Sequence, residues 1–463
     1  MFQIHQYKSH GYNLVLDVNS GSVHIFDDAA YDMLPQVAAM IENDRDVTED
    51  EVVSALVSGG KFDPETVRET VSELFSLKDN GSLFADDIYE KYIGAINAAV
   101  PVVKALCLHI AHDCNLACSY CFAGKGDYSG EREMMSYETG KAALDFLVKE
   151  SRGRRNLEVD FFGGEPLMNW DVVKQLVLYG RSLEKEHDKN FRFTLTTNGL
   201  LLDDEKLDFM NREMGNLVLS VDGRRSVHDR LRKRRDGGGS YDLIIDKFVH
   251  AAESRNQDRY YVRGTFTAYN KDFSKDVESL ADLGFKQISM EPVVAERSEP
   301  YAITESDLDE IIEEYDRLCD LYLERRKEGR GFNFFHFNID LAGGPCVAKR
   351  LSGCGSGCEY LSVTPDGKLY PCHQFAGKPE FVMGDVHRGI VRDDIRDDFR
   401  KCNVYTRPEC RKCFARYYCS GGCQANAFNE NGDINSVYEI GCILERKRIE
   451  CAIMLQAAQA DEI

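Results

Sequence analysis

The sequence is short of positive charge. Its 57 Lys and Arg residues face 78 Asp and Glu residues, which gives a formal net charge of -21. Nucleic-acid binding needs clustered basic side chains to neutralise phosphates, and a strongly acidic surface repels those phosphates. We therefore expect no nucleic-acid partner and favour a peptide or a small molecule.

Long apolar runs are missing as well. No stretch approaches the roughly 20 apolar residues that a membrane span requires, and the first residues, MFQIHQYKSHGYN, lack the apolar core of a signal peptide. These absences predict no membrane association and a cytoplasmic location. Because thiols stay reduced there, we expect the clustered members of the sixteen cysteines to bind metal rather than to form disulfides.

The length of 463 residues predicts two or three domains. Residues 1–90 form a small module in which apolar residues alternate at 12–16 and 23–25 around a turn, which predicts a β-hairpin. Helices follow: Thr48 and Glu51 form a capping box, Gly59 and Gly60 end that helix, and Asp63 caps the next. We expect a small sheet beside a helical bundle.

The middle segment, residues 91–335, predicts an α/β fold. Strand-like apolar runs at 105–110, 157–162, 191–196, 217–221, 260–266 and 287–290 alternate with amphipathic helices. Such alternation implies a parallel sheet, either open or closed into a partial barrel, with active-site residues at the carboxyl ends of the strands. Residues 336–463 are rich in Cys and Gly and have too little apolar periodicity for a core of their own, so we expect this segment to depend on bound metal.

A cysteine triad follows the first strand of the middle segment. Cys114, Cys118 and Cys121 are spaced Cys-x3-Cys-x2-Cys, with the aromatic Tyr120 before the last. Three thiolates leave one iron of a four-iron cubane open, and that iron can chelate the amino and carboxylate groups of S-adenosylmethionine (SAM). The alternatives are a zinc knuckle or three buried thiols, but zinc favours four ligands and no nearby Cys or His has the spacing of a fourth.

The triad and three further motifs resemble the radical SAM superfamily. That resemblance implies a partial (β/α)6 barrel and a SAM site whose residues end successive strands. The residues that it assigns to SAM are Tyr120, Gly163, Gly164, Glu165, Asn198, Ser220, Asp222 and Arg263. In this family Glu165 would meet the ammonium group of SAM, and the two glycines would let the backbone approach the cofactor. Arg263 has two open interpretations, a bidentate partner of the SAM carboxylate or a surface ion pair.

A second cysteine array in residues 336–463 resembles the SPASM domain of peptide-modifying radical SAM enzymes. The resemblance implies two auxiliary 4Fe-4S clusters. Cys410, Cys413, Cys419 and Cys442 would hold one, whereas Cys354, Cys372, Cys423 and, as fourth ligand, Cys346 would hold the other. Cys358 departs from the expected pattern and is an alternative to Cys346 or a spectator. A pair of zinc sites is the competing interpretation, and Cys107, Cys319, Cys402 and Cys451 are predicted to be buried thiols.

Over almost the whole chain the sequence resembles the SCIFF-peptide maturases, which install thioether crosslinks in cysteine-rich precursor peptides. The resemblance lies in residues 106–116, 159–167, 332–337 and 419–423. Residues 1–90 resemble the RiPP recognition element, a winged-helix-like module that binds leader peptides; a structural cap or a dimerisation module is the alternative. The implied partners are a cysteine-rich precursor peptide and a low-potential electron donor such as flavodoxin or ferredoxin.

The amino-acid sequence alone leaves two other functions open. A sulfatase-maturase-like dehydrogenase would use the same domains to oxidise one Cys or Ser without forming a crosslink. A zinc-stabilised peptide-binding protein would have no activity. The metal content separates the last possibility from the other two.

Overall fold

A computed structural model describes residues 2–128, 130, 132–341 and 350–461. Its first part is a three-stranded antiparallel sheet in the order β1-β2-β3, with bounds Ile4–Ser9, Tyr12–Asp17 and Val23–Phe26. The helices α1, α2 and α3 span Asp28–Asn43, Glu49–Gly59 and Pro64–Asp79. The predicted hairpin is confirmed as β2 and β3, and the prediction of a small sheet beside helices is confirmed as well.

The predicted helix ends of this module are confirmed in detail. The Thr48 side chain accepts a bond from the Glu51 backbone N–H, and the Glu51 carboxylate accepts one from the Thr48 backbone N–H. Gly60 ends α2 at φ +67°, a left-handed conformation that a residue without Cβ adopts easily. Asp63 accepts bonds from the first backbone N–H groups of α3. Local polar side chains therefore set these boundaries.

The middle of the chain is a parallel sheet with helices between its strands. The parallel strands are β4 Ala105–His112, β6 Asn156–Gly163, β7 Asn190–Thr197, β8 Asn216–Ser220, β9 Tyr260–Phe266, β10 Gln287–Pro292 and β11 Asn333–Phe334. The short β5 Glu133–Met134 pairs antiparallel with β4. The helices are α4 Ile93–Ala98, α5 Tyr137–Glu150, α6 Trp170–His187, α7 Asp204–Glu213, α8 Arg225–Leu231, α9 Tyr241–Ser254, α10 Ser274–Asp282 and α11 Leu308–Lys327. Six of these strands, β4 and β6 to β10, are the six predicted runs, and they pair as parallel neighbours in chain order, which is the arrangement of a partial (β/α)6 barrel.

The C-terminal part continues the same sheet. β12 Tyr360–Val363 pairs in parallel with β4, and β13 Lys368–Tyr370, β14 Gly384–Asp385 and β15 Gly389–Ile390 follow as antiparallel neighbours. The helices are α12 Asp393–Lys401, α13 Pro408–Arg411, α14 Arg416–Cys419, α15 Gln424–Asn431 and α16 Glu439–Asp461. The residues of β12 are buried among those of the barrel, so this segment extends the barrel core as well as carrying the cysteine array.

One hydrophobic core fills the barrel between its sheet and its helices, and a second fills the N-terminal module. Because alternate residues of β6 and β7 are buried, these strands present one face to the core. Polar residues stand at or just after their carboxyl ends, Glu165 after β6 and Thr197 at the end of β7. None of the helices in the described ranges has both the length and the apolar composition to cross a membrane.

Candidate active site

The cysteine triad lies on the loop that follows β4, at the carboxyl ends of the parallel strands, as predicted. Its three thiols are partly buried. Burial raises the pKa of Cys114 and of Cys118 to about 12. The thiols of Cys118 and Cys121 add to the rise at Cys114, and the thiol of Cys121 adds to the rise at Cys118. The three sulfurs therefore share one region at the mouth of the barrel.

A basic segment after α8 holds this loop in place. The backbone N–H groups of Ala117 and Ser119 donate to the carbonyls of Lys233 and Leu231 at 2.8 and 2.9 Å. Arg235 donates through Nε to the carbonyl of Cys114 at 2.6 Å and pairs with Asp113. The sequence interpretation missed this segment, although its four consecutive basic residues at 232–235 stand out in an acidic chain.

The two glycines that end β6 bring that strand against the backbone before the triad. A Cβ at Gly163, whose φ is +120°, would lie 2.4 Å from the carbonyl oxygen of Ala111, and a Cβ at Gly164 would lie 2.0 Å from that of Asp113. Backbone N–H groups of Gly164 and Glu165 donate to these same two carbonyls at 2.7 and 2.9 Å. Both positions therefore need glycine because the backbone of β6 approaches the backbone of residues 111–113, just before the triad.

Glu165 joins the ends of two neighbouring strands. Its buried carboxylate accepts bonds from the Thr197 hydroxyl and the Asn198 backbone N–H, both at 2.8 Å, and from the Leu167 N–H at 3.0 Å. Burial raises its pKa to about 7, against the lowering effect of these three donors. Asn198 in turn donates through Nδ2 to Asn115 at 2.8 Å, beside the sulfur of Cys114. The GGE and TNG motifs therefore meet next to the first cysteine.

Asp222 is the centre of a second buried group. It accepts bonds from the Tyr120 hydroxyl at 2.7 Å, from Arg232 Nε at 3.0 Å and from the Thr265 backbone N–H at 3.0 Å. The Arg232 guanidinium also lies 5.4 Å from the centre of the Tyr120 ring. Ser220 ends β8 two residues before Asp222 and is partly exposed. The predicted residues Tyr120 and Asp222 thus contact each other directly. Arg232, which sequence reasoning missed, contacts both of them.

Arg263 makes an ion pair with Glu291 on the adjacent strand β10. Burial opposes ionisation of Glu291, but the positive charge of Arg263 and the nearby His336 and Arg448 lower its pKa to about 2. His336 also contacts Ser289 at 3.1 Å and Arg448 at 3.0 Å. Arg263 was predicted to be either a partner of the SAM carboxylate or a member of an ion pair. The structure shows the ion pair, with Glu291.

The C-terminal cysteines form two groups. Cys372 is buried, which raises its pKa to about 12, and the thiols of Cys423 and Cys354 act on it in the same direction. Cys419 has its pKa raised to about 12 by burial and then by Cys442, Cys410 and Cys413. These are the two sets that the SPASM resemblance implies, apart from Cys346, which lies outside the described residues.

Cys358 belongs to neither group. Its sulfur lies 3.5 Å from the carbonyl of Arg396, and the charges that act on it are those of Arg396, Arg400, Glu359 and Asp397. These contacts favour the interpretation of Cys358 as a spectator, and its role stays a prediction. The prediction of buried thiols is confirmed for Cys107, Cys319, Cys402 and Cys451.

The donor sets fit iron-sulfur clusters. Each of the three groups is made of thiols alone, the soft ligands that such clusters take, and Gly126 keeps space beside the triad, since a Cβ there would lie 2.8 Å from Cys114 Cβ. Within residues 2–341 and 350–461, apart from the undescribed positions 129 and 131, no three Cys, His, Asp or Glu side chains converge on a site for a single metal ion.

Two family models match the chain. Residues 108–291 match the radical SAM superfamily, and residues 354–414 match SPASM, an iron-sulfur cluster-binding domain. The chain is a radical SAM/SPASM enzyme. These two domains imply SAM and 4Fe-4S clusters as the cofactors, which favours iron-sulfur clusters over the zinc interpretation.

Relatives of this radical SAM/SPASM enzyme include maturases. A cysteine-type anaerobic sulfatase-maturating enzyme of Clostridium novyi is 24% identical over 335 residues, which are 68% of this chain and 86% of the relative. The structure of native anSMEcpe with bound AdoMet has a TM-score of 0.66 at 19% identity and covers 78% of this chain and 100% of its own. Streptococcus suis SuiB bound to its precursor peptide SuiA has a TM-score of 0.50 at 15% identity and covers 95% of this chain and 100% of its own. At these identities the two structures show that the fold is shared.

Proposed function

We propose that this enzyme is a peptide maturase that forms Cys-to-carbon thioether crosslinks in a cysteine-rich ribosomal precursor peptide. The observation that carries the proposal is the exposure of Cys354 and Cys423 beside the buried Cys372. Iron held by these three thiols would be open to solvent on one side, where a substrate thiol can bind. Metal binding lowers the pKa of a thiol and fixes the position of its sulfur, and both effects favour bond formation to carbon.

The N-terminal module, residues 1–90, is proposed to bind the leader of that peptide. Strand order places β3 at an edge of its sheet, and Ile25 on this strand is 46% exposed. An extended leader can add to such an edge, with backbone bonds giving affinity and side-chain pockets giving specificity. The structural match to SuiB, which was captured with a precursor peptide, spans 95% of this chain, whereas the match to anSMEcpe spans 78%.

At the barrel mouth, Cys114, Cys118 and Cys121 would hold the cluster that binds SAM. When bound, cluster and SAM supply a 5'-deoxyadenosyl radical that removes hydrogen from a carbon of the peptide. Glu165, already fixed by three donors, would accept from the ammonium group of SAM with its remaining lone pairs. Asp222, through its bonds to Tyr120 and Arg232, would fix these two side chains beside the cysteine loop.

Further residues complete the proposed cofactor sites. Gly163, Gly164, Asn198, Ser220 and Arg263 would contribute to the SAM site, with Arg263 exchanging Glu291 for the SAM carboxylate. The second auxiliary cluster would be held by Cys410, Cys413, Cys419 and Cys442. The first would be held by Cys354, Cys372 and Cys423, with Cys346 as a fourth ligand that the substrate thiol displaces. A cytoplasmic flavodoxin or ferredoxin would supply the electron.

A second candidate is a peptide Cys or Ser dehydrogenase, which the sulfatase-maturating relatives favour. The test is anaerobic incubation with SAM, reductant and a cysteine-rich precursor peptide, followed by thiol alkylation, a carbonyl-reactive hydrazide and tandem mass spectrometry. A peptide with one thioether has lost two hydrogens and one thiol that can be alkylated. In tandem mass spectrometry, the fragments on either side of a backbone cleavage inside the crosslinked ring stay joined. A hydrazide adduct on an uncrosslinked peptide would instead support the dehydrogenase.

The matched control for this test is Cys358→Ala, because we propose that Cys358 is a spectator, with its sulfur 3.5 Å from the carbonyl of Arg396. It should yield the same product as the unaltered enzyme. Cys372→Ala should retain SAM cleavage and lose the crosslink, because the first auxiliary cluster is then missing. A crosslink formed at the normal rate by Cys372→Ala would contradict the proposed role of this cluster.

A further inference from the structure

The N-terminal module shares a hydrophobic core with the segment that carries the second C-terminal thiol group. Leu16 and Val18, at the end of β2, pack in one buried cluster with Cys410, Phe414 and Tyr417. The same cluster includes Ile449 and Ile453 of α16. Residues 410–419 therefore find part of their core in a module that is more than 300 positions away in the sequence.

Arg416 links the two parts by polar contacts. It lies between Cys413 and Cys419, is 5% exposed, and donates through Nη1 to Gln3 Oε1 at 2.7 Å. Through Nη2 it donates to Asn19 Oδ1 at 2.5 Å and to Asp87 Oδ2 at 3.2 Å. Three acceptors of this buried guanidinium thus come from residues 1–90. Its remaining bond, to the carbonyl of Arg411 at 2.6 Å, closes the loop between the cysteines.

Ring contacts add to this attachment. The imidazole of His5 on β1 stacks on Phe414, next to Cys413, with ring centres 3.6 Å apart and an angle of 2° between the rings. Gln3 donates through Nε2 to the carbonyl of Lys412 at 2.7 Å. The backbone just before Cys413 and the side chain just after it are therefore held by residues 3 and 5.

The loop has little local structure to hold it otherwise. Its helices α13 and α14 are four residues each, far below the length at which a helix is stable on its own in water. A scaffold that fixes the loop in advance lowers the entropy cost of assembling the site.

We infer that the N-terminal module has a second role besides leader binding: it is the scaffold on which residues 410–419 take the shape that holds the second auxiliary cluster, and Arg416 is the positioning residue of that scaffold. The inference rests on the proposed ligation by Cys410, Cys413, Cys419 and Cys442. It does not depend on which reaction the enzyme performs on its peptide.

The experiment measures iron per chain and the electron paramagnetic resonance of the reduced, full-length enzyme. Asn19→Leu, on the module side, and Arg416→Gln, on the loop side, should each lose about four iron atoms per chain, the content of one cluster. Both should still release 5'-deoxyadenosine from SAM. Arg325→Gln is the matched control, since Arg325 is equally buried but pairs with Asp282 and Glu278 in the barrel; it should keep all its iron.

Two further variants separate the possible failures. Cys413→Ala should lose the same iron, and full iron content in this variant would refute the ligation itself. Asn19→Asp keeps an oxygen acceptor for Arg416 and should retain the cluster. Full iron in Arg416→Gln and Asn19→Leu beside a depleted Cys413→Ala would overturn the scaffold role. The scaffold role would also be overturned if Arg416→Gln and Asn19→Leu lost all three clusters and the helical circular dichroism signal, because the proposed effect is local.

Discussion

Replacing Gly164 by Ala should damage the active site through the backbone rather than through a lost contact. The new Cβ would lie 2.0 Å from the carbonyl oxygen of Asp113, whereas real Cβ atoms keep at least 3.0 Å, so the two backbones must separate by about 1 Å. The separation strains the bonds from Gly164 N to Ala111 O and from Glu165 N to Asp113 O. With about 1 kcal/mol for each bond and 1–3 kcal/mol for overpacking, we expect a loss of about 3–5 kcal/mol.

Activity should fall further than stability indicates, because Asp113 immediately precedes Cys114. A displacement of about 1 Å at a reacting centre costs roughly 100-fold in rate. The assay is 5'-deoxyadenosine release per chain, together with thermal unfolding by circular dichroism. Gly153→Ala is the matched control, since nothing lies within 4 Å of a Cβ there and its φ is not in the left-handed region. Equal rates and melting temperatures in the two variants would refute this reasoning.

Three further predictions concern other parts of the molecule. Cys358→Ala should retain all iron whereas Cys372→Ala should lose about four atoms per chain, as measured by iron analysis, and equal losses would make Cys358 a ligand. Arg232→Gln should lower the free energy of unfolding by about 3–5 kcal/mol, because it leaves the buried Asp222 carboxylate without its cation. Thermal unfolding tests this prediction, and the double variant Arg232→Gln/Asp222→Asn should recover part of the lost stability. Burial raises the pKa of Asp160 to about 6, so the folded state binds more protons and stability falls as the pH rises from about 4 to about 6. Asp160→Asn should therefore raise the melting temperature more at about pH 8 than at about pH 5, and a gain that does not depend on pH would contradict the shift.

The sequence allowed the barrel strands to be predicted because their signal is local. Alternating burial in β6 and β7, and the polar residues that follow each strand, are written in consecutive residues. The cysteine groups could also be predicted from the sequence, because several cysteines at short spacings are typical of metal ligands. The positions of Glu165 and Asn198 next to Cys114 follow from the rule that parallel strands present their carboxyl ends at one edge.

What sequence reasoning missed depends on contacts between distant segments. β1 went unpredicted because its residues are partly buried on both faces, with Tyr7 and His5 reaching Glu450 of α16, so no alternation appears. The pairing of β12 with β4 joins residues more than 250 positions apart. The roles of Arg232 and Arg416 could not be predicted, because their partners are distant in the sequence or come together only in the fold. Arg232 pairs with the buried carboxylate of Asp222, and Arg416 donates to the amide oxygen of Asn19.

The central claim is that Cys114, Cys118 and Cys121 hold the cluster at which SAM is cleaved. The most direct measurement is 5'-deoxyadenosine release by the anaerobically reconstituted enzyme and by its Cys114→Ala/Cys118→Ala/Cys121→Ala variant, with both auxiliary thiol groups intact. We predict release by the unaltered enzyme and none by the variant, which should keep the iron of its auxiliary clusters. Release by the variant at a comparable rate would contradict the claim.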